Sequence, residues 1–108
     1  MERRSNLALF IIFWIGLSTG LAAAETPVAT AVFKCKEGKS IEATFYADKV
    51  DLKLSDGRAM TVPQAMSASG ARYANADETF VFWNKGDTAF VTEGKDGKET
   101  YSGCVTGS

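Results

Sequence analysis

The side chains in this chain that most invite a catalytic reading are Ser69, followed by Gly70, and Lys85 beside a turn glycine. A serine hydroxyl becomes a nucleophile when an adjacent base takes its proton, and an uncharged lysine can be that base. The local patterns for that chemistry are missing. Ser67 stands where a nucleophile elbow has its first glycine, and Arg72 stands where a Ser-x-x-Lys pair needs its lysine. The chain has no histidine and only two cysteines, which disfavours a histidine general base and both structural and catalytic zinc. Asp77 and Glu78 form an acidic pair, but no second pair at ligand spacing supports calcium, so they read as loop solvation. No cofactor and no metal is expected. Taken singly, Ser69, Gly70, Arg72, Tyr73 and Lys85 are a loop serine, a turn glycine, a surface arginine, an anchoring tyrosine and a turn lysine.

The elements that would position these residues begin after an address. Arg3 and Arg4 precede an almost unbroken apolar stretch from Leu7 to Leu21, and Ala22-Ala23-Ala24 offers small residues for cleavage. That is the pattern of a secretory signal peptide over residues 1–24. The apolar run is shorter than the ~20 residues a spanning helix needs, so no membrane anchor is expected after cleavage. Residues 25–108 then form one exported domain of 84 residues, expected in the periplasm. Removing Arg3, Arg4 and Glu2 leaves 10 basic and 12 acidic side chains, a net charge of −2. Such a balance excludes a phosphate-backbone partner and is compatible with a mildly basic protein partner. In an oxidising compartment Cys35 and Cys104 read as one disulfide. It closes a loop of 69 positions and contributes on the order of 4 kcal/mol by chain entropy.

The periodicity is β throughout. Ile41, Ala43 and Phe45 share one face of "SIEATFY", and Val50, Leu52 and Leu54 share one face of "KVDLKLS". Gly38, Gly57, Gly86 and Gly97 centre four turns. Strands are expected near 31–35, 40–46, 49–55, 58–63, 79–84, 87–93 and 99–105, with a short eighth at 72–75. Cys35 and Cys104 then fall in the first and last strands. Phe80 and Phe82 are expected in the core, and Trp83 on the opposite face. So many short antiparallel strands should close into a small eight-stranded barrel, because closure removes exposed edges. A two-sheet sandwich is the alternative. From Pro63 to Glu78 the chain runs 16 small and polar residues with at most one short strand, and a loop of that length suggests a presented surface.

The ordered set "VFKC" at 32–35, "SGARYAN" at 69–75, "FVFWNKGDTAFV" at 80–91 and "TYSGC" at 100–104 resembles the bacterial inhibitors of c-type lysozyme, both membrane-bound and periplasmic. Its centre is Ser69-Gly70-Ala71-Arg72-Tyr73. The resemblance implies an eight-stranded antiparallel barrel that inserts a loop into the lysozyme active-site cleft. There Ser69 and Lys85 would meet the two catalytic carboxylates, with Gly70, Arg72 and Tyr73 completing or supporting the contact. Membrane-bound members carry a lipidated cysteine where this chain has Ala-Ala-Ala-Glu, so it resembles the soluble periplasmic branch. Lysozymes of this class are usually basic, and the −2 charge would favour encounter. Two other classes stay open: a small-ligand carrier, for which so small a barrel leaves little room, and a structural envelope protein.

Overall fold

The computed structural model describes residues 25–106; the expected signal peptide lies outside them. Eight strands run in chain order around a closed antiparallel barrel. They are β1 (Ala29–Lys34), β2 (Ser40–Phe45), β3 (Lys49–Leu54), β4 (Ala59–Ala65), β5 (Ala71–Ala74), β6 (Phe80–Lys85), β7 (Thr88–Glu93) and β8 (Lys98–Thr106). A single 3-10 turn at Lys36–Gly38 links β1 to β2. The barrel expectation holds, and the sandwich alternative falls.

The alternation seen in the sequence is what fills the interior. Every strand contributes at least one inward side chain that is almost wholly buried. Phe33, Ile41, Leu52, Val62, Tyr73, Phe82, Val91 and Tyr101 come from β1 to β8 in turn. The Phe82 ring centroid lies 6.0 Å from those of both Phe33 and Tyr73, and Phe45 leans on Tyr73 at the same distance. An eight-stranded barrel has an interior just wide enough for its own side chains. These aromatics pack within that interior.

Closure is uneven around the ring. β1 with β2, and β6 with β7, each align over six residue pairs. β4 meets β5 only through Gln64 with Tyr73 and Ala65 with Arg72. β8 meets β1 only through Phe33 with Thr106 and Lys34 with Val105. The disulfide between Cys35 and Cys104 continues that second register by one step. A covalent bond thus reinforces one of the two short seams. Cys35 itself lies just past β1, at the start of the 3-10 turn, rather than inside the first strand.

The expected long loop is corrected. Strand β4 continues through Pro63 to Ala65, and β5 starts at Ala71, so the connections are Met66–Gly70 and Asn75–Thr79. Proline lacks an N–H and is tolerated where a strand has a free side. At Pro63 the pairing with β5 has not begun, since it starts at Gln64. Small residues therefore mark a tight five-residue crossing at this point.

Candidate functional site

In an up-and-down barrel, alternate connections gather at the same end. The Met66–Gly70 loop and the Gly86-Asp87 turn share one end, and the 55–58, 75–79 and 94–97 turns share the other. At the first end Ser69 and Lys85 are brought together. The β5–β6 ladder aligns Ala71 with Asn84, so one step further Gly70 lies opposite Lys85.

Gly70 is the hinge of this arrangement. Its φ of +68° belongs to the left-handed region, and an added Cβ would lie 2.9 Å from the Asn84 carbonyl oxygen and 3.2 Å from the Lys85 Cβ. Only glycine combines that backbone angle with so close an approach. The preceding residues are held by Ser67, whose hydroxyl donates to the Ser69 carbonyl at 2.7 Å and accepts from the Ser69 N–H at 3.3 Å. Ser69 and Gly70 are exposed on the resulting loop.

The hairpin carrying Lys85 is equally fixed. Gly86 has a φ of +60° at the first position of a two-residue turn, the place glycine takes in a type II′ hairpin. The Asn84 side-chain amide donates to the carbonyls of Gly86 at 3.1 Å and Thr88 at 3.0 Å. The Thr88 hydroxyl donates to the Lys85 carbonyl at 2.8 Å. Backbone and neighbours are tied down, while the Lys85 ammonium has no ion-pair partner among the described residues and is exposed.

Ser69 and Lys85 line one cleft of about 270 Å³, whose other walls include Trp83, Asn84, Thr88 and Phe90. Trp83 and Phe90 stack with centroids 5.8 Å apart and form its apolar floor. Trp83 does face away from the core phenylalanines, as its strand position predicted. Sequence reasoning missed Phe90 and Asn84 as site residues. Phe90 was accessible to such reasoning, since it occupies the outward phase of β7 between buried Ala89 and Val91.

Arg72 and Tyr73 split the work of β5 by facing opposite ways. Arg72 points outward, pairs with Glu78 at 2.6 Å and lies 5.5 Å over the Trp83 ring. It ties the cleft floor to the next turn. Tyr73 is 5% exposed, and burial pushes its hydroxyl pKa up. Its side chain packs inside the barrel against Phe45 and Phe82 and leaves little surface exposed. The acidic pair is absorbed by the same turn: Asp77 accepts from the Thr79 hydroxyl at 2.7 Å, while Glu78 holds Arg72.

The family model described as membrane-bound lysozyme-inhibitor of c-type lysozyme matches residues 33–100 of this chain. The chain belongs to that family. The match takes in Ser69 through Tyr73 and Lys85 and ends before Cys104. A Yersinia enterocolitica protein named membrane-bound lysozyme inhibitor of C-type lysozyme is 47% identical over 57 residues, which cover 53% of this chain. The match spans 44% of that relative's own length. No solved structure matches the chain. No helix among the described residues is long and apolar enough to cross a membrane.

Proposed function

We propose that residues 25–108 act as an exported inhibitor of c-type lysozyme, released into the periplasm by removal of residues 1–24, and perform no catalysis of their own. The observation that carries this reading is the convergence of Ser69 and Lys85, 16 positions apart in sequence, on one exposed cleft. Membership of the inhibitor family supports it, as does the name of the Yersinia relative.

The chemistry of the two groups fits the proposed target. A c-type lysozyme works with one protonated glutamic acid and one ionised aspartate. The Lys85 ammonium would pair with the aspartate and neutralise it. The Ser69 hydroxyl, donor and acceptor alike, would bond to the glutamic acid in either protonation state. The Ser67–Gly70 part of the loop, built of serine, alanine and glycine, is slim enough to enter a cleft shaped for a sugar chain. Because Ser67, Gly70 and Asn84 already hold that loop and hairpin, little ordering cost remains for binding.

The test is lysis of bacterial cell walls by c-type lysozyme in the presence of purified residues 25–108. Inhibition that saturates at one inhibitor per enzyme, with lysozyme recovered intact, is the expected result. Full lysis under excess folded protein would rule the function out, and cleaved lysozyme would point to an enzyme instead.

A further inference from the structure

The largest exposed apolar side chain at the Ser69–Lys85 end is Met66, which is 91% exposed. It opens the same five-residue loop that Ser67 and Gly70 hold in place, three positions before Ser69. A methionine this exposed is almost free of packing among the described residues, yet the loop that carries it is held in place. Met60, by contrast, sits partly buried against the barrel core. The two therefore differ sharply in access for any reagent in solution.

We propose that Met66 is an apolar anchor for the protein partner and an oxidation site whose modification weakens that partner's capture. This rests on the inhibitor reading above. Unoxidised, the flexible thioether packs against an apolar rim beside the partner's cleft, the use made of methionine at adaptable binding surfaces. A peroxide is the oxidant. Its O–O bond breaks, one oxygen joins the Met66 sulfur as a sulfoxide, and the peroxide is reduced to water or an alcohol. The sulfoxide is polar, and burying it in an apolar contact without a hydrogen bond is unfavourable. The fold is indifferent to the change, because nothing in the core touches Met66.

The experiment treats purified residues 25–108 with limiting hydrogen peroxide, removes the oxidant with catalase, and then measures mass, melting temperature and inhibition of c-type lysozyme. One added oxygen on the Met66 peptide is expected before any on Met60, with an unchanged melt and inhibition weakened roughly tenfold, the scale of losing part of one buried apolar side chain. The variant Met66→Leu should inhibit before and after peroxide alike, and Met66→Gln should resemble the oxidised protein. Oxidation at Met60 first would overturn the modification site. Oxidised protein that inhibits as well as native protein would overturn the anchor while leaving the inhibitor reading intact. Native protein that leaves lysozyme fully active would overturn that reading and the anchor with it.

Discussion

Arg58 and Lys85, at opposite ends of the barrel, are held in opposite ways. At the end carrying the 55–58 turn, Arg58 is fully engaged. It donates to Glu93 through both terminal guanidinium nitrogens at 2.8 and 2.9 Å, and to Asp56 through its Nε at 2.9 Å. It also lies 5.8 Å over the Phe80 ring. Nearby, the Lys39 ammonium donates to the Thr100 carbonyl at 2.7 Å. At the other end the Lys85 ammonium and the Ser69 hydroxyl have no side-chain partner among the described residues, although the backbone around them is secured. Charge satisfied within the fold serves the fold. A rigidly mounted charge left open is available to something else, and that contrast separates Lys85 from Arg58.

The sharpest way to break the comparison is Lys85→Ala. If Lys85 faces a lysozyme carboxylate in a site cleared of water, its loss strands that carboxylate and costs ~2–5 kcal/mol of binding, mostly through faster dissociation. The melting temperature of the free protein should stay where it is, since the ammonium holds nothing in the fold. Inhibition constants and thermal melts check both halves. Unchanged inhibition would remove Lys85 from the site.

Gly70→Val tests whether the loop's seating matters as well as its chemistry. A side chain there meets the Asn84 carbonyl and an unfavourable φ, which together cost roughly 2–4 kcal/mol. The loop is expected to lift off the hairpin, separating Ser69 from Lys85 and abolishing tight inhibition with only a modest fall in melting temperature. A variant that inhibits normally would show that the contact between loop and hairpin is dispensable.

Ser69→Ala should act in the same direction and more weakly. One neutral hydroxyl hydrogen bond contributes ~0.5–1.5 kcal/mol. Inhibition titrations beside Lys85→Ala give the ranking directly, and a serine effect larger than the lysine effect would reverse the assignment of the charged contact.

The smallest effect belongs to the closed end, and its readout is pH. Arg58 holds the Asp56 carboxyl at about 2, below its ordinary 3.8, and pulls Glu93 down as well. Groups with depressed folded-state pKa values add stability above their unfolded values and lose it as pH falls through the folded ones. Melting temperature should therefore decline between about pH 4 and pH 2. In Arg58→Met that acid slope should flatten and neutral-pH stability should drop only slightly, since half-exposed ion pairs are screened. Inhibition should be untouched. A loss of inhibition in Arg58→Met would mean that the two ends are not independent.

The strands were legible from local residues alone. Inward positions such as Ile41, Ala43, Val50 and Leu52 recur at period two, and Gly57, Gly86 and Gly97 mark the turns between them. That pattern is written by the pleat of each strand and needs no knowledge of its neighbours. The stretch from Pro63 to Glu78 was the exception. The pairing of the end of β4 with β5, and of β5 with β6, is set by register across the sheet, and small residues give register little local signature.

By itself the sequence determined that the chain makes short antiparallel strands, that two cysteines are available to join its ends, and that a serine–glycine loop and a lysine turn are present. Those properties follow from side-chain type and spacing. Only the tertiary structure decided that Gly70 meets Lys85 across the β5–β6 register, that Arg72 and Tyr73 part to opposite faces, and that Trp83 and Phe90 make one floor. Contacts between residues distant in the chain depend on how the barrel closes. A one-residue shift in that closure would have turned the same side chains to the other face.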